Sequence, residues 1–214
     1  MAASRLVPVV VVQDAKDALP LAEALDAGGL RCAEITFRSA AAVDAIRAMA
    51  EDPRIFVGAG TVLRPQQLEE AVAAGAKFIV TPGFSQEIVR LAQEACVPVF
   101  PGVATATEIQ MALDQGVEVV KFFPAEAMGG AATLRALSGP FPMVRFIPTG
   151  GVTADNLARY LEVKTVLAVG GSWMVAPGLL AERRFDDVRR LTAEAVDVVR
   201  RLAIPTAAVA STNG

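Results

Sequence analysis

Short apolar runs rich in β-branched residues alternate with Ala/Leu-rich segments of helical period along nearly the whole chain. Eight runs stand out: Val7–Val12, Cys32–Thr36, Arg54–Val57, Lys77–Thr81, Val97–Pro101, Val117–Phe122, Val144–Pro148 and Thr165–Val169. Their starts recur every 20 to 27 residues, the length of one βα unit. Helix signals fit between them. Asp14 is placed to cap the first helix, which breaks at Gly28-Gly29. Ser39 precedes an alanine-rich helix, and Pro65 takes a first-turn position before Gln66–Ala74. Gly75 and Gly116 mark helix ends, and Thr153 opens Ala154–Leu161. Eight strands alternating with helices predict an α/β fold, a small (β/α)8 TIM barrel in a single domain over residues 1–202. Residues 203–214 read as a flexible C-terminal tail. An open doubly wound sheet is the runner-up, but it calls for a glycine loop after the first strand, and Val12-Gln13-Asp14-Ala15 is not one.

Composition sharpens this picture. Of the 214 residues 53% are hydrophobic and the mean hydropathy is +0.45, yet no apolar run approaches the ~20 residues of a membrane span. The hydrophobicity belongs to a parallel sheet covered on both faces. A net charge of -3, a pI of about 5.1 and the lack of a basic stripe argue against nucleic acid as a partner. Leu6–Val12 contains Pro8 and runs into Gln13 and Asp14, so no secretory signal and no membrane anchor is expected. Cys32 and Cys96 sit at predicted strand starts without metal or disulfide spacing and read as buried thiols of a cytoplasmic protein. There is no histidine at all. Ser-His-Asp and Cys-His nucleophiles, histidine bases and histidine-ligated zinc are thereby excluded, and acid–base work falls to carboxylates, lysine, tyrosine or water.

In a barrel, reactive groups gather where strands end. Lys121 stands in the apolar run Val119-Val120-Lys121-Phe122-Phe123-Pro124, in a chain with four lysines against sixteen arginines. Arginine solvates a surface equally well but does not give up its proton, whereas a desolvated lysine can attack a carbonyl. Lys121 is therefore a candidate Schiff-base nucleophile; a strand-end lysine reaching into solvent fits the same segment. Glu34 lies inside another apolar strand, on the same face of the pleat as Thr36. It is a candidate proton shuttle, or else the partner of a basic residue on a neighbouring strand. Arg38 follows at that strand's end, where a guanidinium could grip a carboxylate or simply face water. Gly150-Gly151 and Gly170-Gly171-Ser172 follow the seventh and eighth strands. Glycines at those loops let backbone N–H groups approach an anion, though tight turns use them too.

Five segments carry a resemblance: Glu34-Ile35-Thr36-Phe37-Arg38, Val57-Gly58-Ala59-Gly60-Thr61-Val62-Leu63, Lys121-Phe122-Phe123-Pro124-Ala125-Glu126, Pro148-Thr149-Gly150-Gly151-Val152 and Gly170-Gly171-Ser172-Trp173. In order and spacing, from about Val7 to about Val199, the chain resembles the 2-keto-3-deoxy-6-phosphogluconate (KDPG) aldolase family. The resemblance implies a class I aldolase, a metal-independent lyase of the Entner–Doudoroff pathway that needs no cofactor. It would form homotrimers and yield pyruvate and glyceraldehyde 3-phosphate from a phosphorylated 2-keto-3-deoxy sugar acid. It also implies Lys121 as the Schiff-base lysine, Glu34 as general acid/base, and Arg38 with Thr61 on the substrate carboxylate. Thr81, Pro82 and Phe123 would line the pocket, and Thr149, Gly150, Gly151, Gly170, Gly171 and Ser172 would surround the phosphate. The galactonate epimer and 4-hydroxy-2-oxoglutarate stay open as substrates, as do a phosphosugar epimerase and a non-catalytic phosphosugar-binding barrel or scaffold. Only six residues precede the first strand, so the N-terminal helix that often closes such a barrel is expected to be missing or very short.

Overall fold

A computed structural model describes residues 4–203; the predicted tail lies almost wholly outside that span. Nine short strands are formed: β1 Leu6–Val10, β2 Cys32–Thr36, β3 Phe56–Gly60, β4 Ile79–Val80, β5 Val99–Phe100, β6 Gly102–Val103, β7 Val119–Phe122, β8 Arg145–Pro148 and β9 Val169–Gly171. The helices between and after them are α1 Ala18–Ala27, α2 Ala42–Ala50, α3 Pro65–Ala73, α4 Gln86–Glu94, α5 Ala106–Asp114, α6 Gly130–Ser138, α7 Leu157–Leu161, α8 Pro177–Ala181 and α9 Phe185–Ala203. All strand pairs are parallel, in a six-stranded sheet of order β5-β4-β3-β2-β1-β9 and a three-stranded sheet of order β6-β7-β8. Pro101 separates β5 from β6, since a proline offers no N–H to the ladder. Isolated bridges Phe146↔Val166 and Thr149↔Gly170 join β8 to the chain leading through β9. The architecture is TIM-barrel-like, with parallel strands inside and helices outside.

The local sequence explains the turns that set the strand ends. Asp14 accepts from the Lys16 N–H and starts a 3-10 turn, Ala15–Asp17, that feeds α1. Ser85 caps α4, and Thr105 with Glu108 forms a reciprocal capping box on α5. Pro65 takes the first turn of α3, where its missing N–H costs nothing. Gly75 and Gly116, at φ 95° and 71°, close α3 and α5 in the left-handed region.

Packing divides into two layers. A large apolar cluster joins strands to helices, and a small one lies inside the sheets: Val7, Cys32, Phe78, Val80 and Ala168, with Phe100 against it. Phe78 stacks on Phe56 at 5.5 Å between centroids and leans on Phe100 at 5.9 Å.

Three expectations need correction. Cys96 is exposed, not buried: helix α4 closes through Cys96 N–H to Gln93 and Val97 N–H to Ala92, which delays β5 to Val99 and leaves the thiol outside. The third strand runs on to Gly60 rather than stopping at Val57, because Gly58 has no Cβ to strike the Phe78 ring, 2.4 Å from where one would stand. Thr153 opens a turn, and α7 starts only at Leu157. Cys32 is buried as expected, and burial pushes its thiol up to about 12.

Candidate active site

Glu34 sits in β2, in register with Val9 of β1 and Gly58 of β3. Lys121 sits in β7, in register with Gly102 of β6 and Ile147 of β8. The two belong to different sheets, so their contact crosses the interior. Lys121 Nζ donates to Glu34 Oε1 at 3.2 Å, with the residues 5% and 3% exposed. Glu34 is thus paired with a basic residue, though one from the other sheet rather than from a neighbouring strand. Removing one member of a buried pair strands the other charge, which typically costs about 3–5 kcal/mol.

Neighbouring backbone makes room for this pair. A Cβ on Gly60 would lie 2.2 Å from Glu34 Oε1, so the carboxylate rests where a side chain is missing. The Lys121 ammonium also stands 5.3 Å from the centroid of the Phe123 ring, and the Phe123-Pro124 peptide is cis. Below, Val7, Phe78, Val80, Phe100 and Ile147 enclose a small cavity with Glu34, Lys121 and Thr149.

Above it opens a mouth of about 180 Å³, lined by Arg38, Phe123, Thr149, Gly150, Gly151, Gly170, Gly171 and Ser172 among others. Thr149 lines both spaces and so joins them. Gly150 and Gly151 have φ 96° and 78°, conformations that side-chain-bearing residues rarely take. Gly170 faces Thr149 so closely that a Cβ would lie 2.2 Å from its Oγ1. Arg38 is exposed at the end of β2 and has no ion pair among the described residues. The structure therefore gathers most of the predicted residues around one mouth.

Thr61, Thr81 and Pro82 line neither space. Thr61, at φ 55°, follows Gly60. Thr81 Oγ1 donates to Gly83 O at 2.6 Å and accepts from the Gly102 N–H at 3.3 Å. A Cβ on Gly102 would meet the Pro82 carbonyl at 2.2 Å, which packs the Thr81-Pro82 turn against the register partner of Lys121.

Three residues at the site were not singled out from sequence. Glu126 N–H donates to Gly150 O at 3.0 Å, and its carboxylate accepts a short hydrogen bond from the buried Tyr160 hydroxyl. Burial, reinforced by that carboxylate, pushes the Tyr160 phenol well above its ordinary range, so it stays a donor. Asn156, buried, donates from Nδ2 to Gly151 O at 3.0 Å and accepts from the Thr153 N–H at 2.8 Å. A signal existed for one of them: Tyr160 is the only tyrosine in the chain.

A larger hollow of about 290 Å³ lies near the strand starts, between Gly29–Cys32 and α9. It holds arginines and a buried thiol but no acid–base pair, so the chemistry belongs to the mouth. Among the described residues no three of His, Cys, Asp and Glu gather as a metal site would need. No helix there is long and apolar enough to cross a membrane.

Known proteins resemble this chain over most of its length. The KDPG/KHG aldolase of Escherichia coli K12 is 47% identical over 193 residues, covering 90% of this chain and 91% of that protein. The 2-dehydro-3-deoxy-phosphogluconate aldolase of Treponema pallidum is 47% identical over 196 residues, covering 91% and 93%. The crystal structure of the KDPG aldolase of Legionella pneumophila, which holds pyruvate as a covalent carbinolamine, superposes with a TM-score of 0.88 at 41% identity, covering 91% and 95%. The sequence matches the description "KDPG and KHG aldolase" over residues 1–191, and the chain belongs to that aldolase family.

Proposed function

We propose that the protein is a class I aldolase that cleaves 2-keto-3-deoxy-6-phosphogluconate to pyruvate and glyceraldehyde 3-phosphate. The observation that carries this reading is the buried contact of Lys121 Nζ with Glu34 Oε1 at 3.2 Å, directly beneath the mouth. Transfer of a proton from the ammonium to the carboxylate leaves a neutral amine, which adds to the C2 ketone; Glu34 then gives that proton to the carbinolamine hydroxyl, which departs as water and leaves an iminium and a free carboxylate. That cation draws electrons from the C3–C4 bond once the C4 hydroxyl loses its proton. Glu34, directly or through a water, accepts that proton and later returns one to the enamine carbon. Hydrolysis of the second imine frees pyruvate and Lys121.

Arg38 and Thr61 are assigned to the substrate carboxylate, and Thr81, Pro82 and Phe123 to the walls around the reacting carbons. Thr149, Gly150, Gly151, Gly170, Gly171 and Ser172, all of which line the mouth, are assigned to the phosphate. The iminium supplies the electron sink, so the reaction is proposed to be metal-independent; activity should survive EDTA. We further propose that both sheets form one (β/α)8 barrel, closed through Pro101 and the Thr149↔Gly170 bridge, and that the chain assembles as a homotrimer. Light scattering that gave a monomer would dismiss the trimer.

The deciding experiment is borohydride reduction in the presence of pyruvate, followed by intact mass and peptide mapping. A stable adduct on Lys121 is expected; folded protein without one would end the Schiff-base reading. Because the family takes its name from two substrates, retro-aldol rates on KDPG and 4-hydroxy-2-oxoglutarate should be compared, with KDPG expected to be faster.

A further inference from the structure

The Gly150–Val152 loop owes its orientation to groups behind it. Gly150 O accepts from the Glu126 N–H, and Gly151 O accepts from Asn156 Nδ2, each at 3.0 Å. A trans peptide is planar, with its C=O and N–H pointing opposite ways. Holding the Gly150 carbonyl therefore aims the Gly151 N–H away from Glu126, and holding the Gly151 carbonyl aims the Val152 N–H away from Asn156. Gly150, Gly151 and Val152 line the mouth, whereas Glu126 and Asn156 do not. Among the described residues neither the Gly151 nor the Val152 N–H has an acceptor. Two donors are thus presented to the mouth by two acceptors tied behind it.

One of those ties comes from a side chain, Asn156. The other comes from backbone, but Glu126 is itself fixed by the Tyr160 hydroxyl and by Gly151, where a Cβ would lie 2.6 Å from Glu126 Cβ. Asn156 and Tyr160 lie one helical turn apart, so one short segment governs both amides.

We infer that Asn156 and Tyr160 are positioning residues that aim the Gly151 and Val152 amides at the phosphate of the substrate, and thereby set the preference for phosphorylated over unphosphorylated aldehydes. This rests on the phosphate assignment proposed above. Neither residue touches the reacting carbons. Their loss weakens anion binding and leaves imine chemistry intact.

The test runs the reaction in the direction of synthesis, from pyruvate with either glyceraldehyde 3-phosphate or glyceraldehyde, and adds inorganic phosphate as an inhibitor. Asn156→Asp places an acceptor against Gly151 O. It should raise both the KM for glyceraldehyde 3-phosphate and the Ki of inorganic phosphate about tenfold. Tyr160→Phe removes one hydroxyl without changing shape and should raise both about threefold. Rates with glyceraldehyde and borohydride trapping of pyruvate should match the parent protein. Equal losses with both aldehydes, or an unchanged KM for the phosphorylated one in Tyr160→Phe, would overturn the inference even if Asn156→Asp did not fold. If the parent protein itself fails to prefer glyceraldehyde 3-phosphate, the phosphate assignment falls first and the inference with it.

Discussion

Inside the sheets, Glu34 and Lys121 meet side chain to side chain, each almost wholly removed from water and set on a floor of Val7, Phe78, Val80 and Phe100. At the mouth, the groups on offer from Gly150 to Val152 are partial charges on backbone, lining the opening and held from behind by Glu126 and Asn156. The first arrangement suits bond-making, where a proton must move over a short distance in a medium that does not compete for it. The second suits recognition, where several weak donors share one ligand and the ligand must leave again. Glycine serves both regions: at Gly60 it gives up space to a carboxylate, and at Gly170 it gives up space to Thr149.

The comparison breaks most completely at Lys121. Lys121→Ala should lower kcat by at least about 10⁴-fold and abolish the borohydride-trapped adduct. Residual turnover near the parental rate would show that the interior pair is structural only. Next comes Glu34→Gln, which keeps the shape of the side chain but removes its proton affinity. It should cut kcat by about 10²–10³-fold while pyruvate still forms a trappable imine; an unaffected rate would take Glu34 out of the mechanism. At the mouth the effect should be smaller and fall on KM. Gly170→Ala drives a methyl into Thr149 and should raise KM for the phosphorylated substrate about tenfold, with kcat changed far less. A collapse of kcat instead would mean that the two regions are mechanically one.

The smallest effect tests dryness alone. Cys32 shares the inner cluster with Phe78 and Val80, and its thiol is pushed up to about 12 by burial. That shift works against the thiolate that alkylating reagents attack. Iodoacetamide should therefore label the exposed Cys96 first and Cys32 only on unfolding. Comparable labelling of both thiols in folded protein would show that water reaches the interior.

Much of this was readable along the chain, and the misses have common causes. Strand and helix order followed from hydrophobic period, since parallel strands covered on both faces leave continuous apolar runs. Lys121 and Glu34 stood out because a charge inside such a run is costly unless it has a partner. That the partners would be each other was open, because β2 and β7 share no ladder and nothing local encodes a contact across the interior. Cys96 was misjudged for a related reason: the turn that ends α4 depends on hydrogen bonds back to Ala92 and Gln93, which hydropathy does not report. Asn156 and Tyr160 act through a loop that precedes them, and only the fold brings their side chains behind it.

The scarcity of lysine bears on how the molecule could be handled. Besides Lys121 the sequence has only Lys16, Lys77 and Lys164, and all three are exposed. Lys77 and Lys164 lie ahead of β4 and β9, at the end away from the mouth, while Lys16 lies just after β1. Coupling to an aldehyde-bearing support would thus draw mainly on amines at the strand-start end. With Lys16→Arg, the catalyst would be tethered by its base with its opening turned to the flowing substrate.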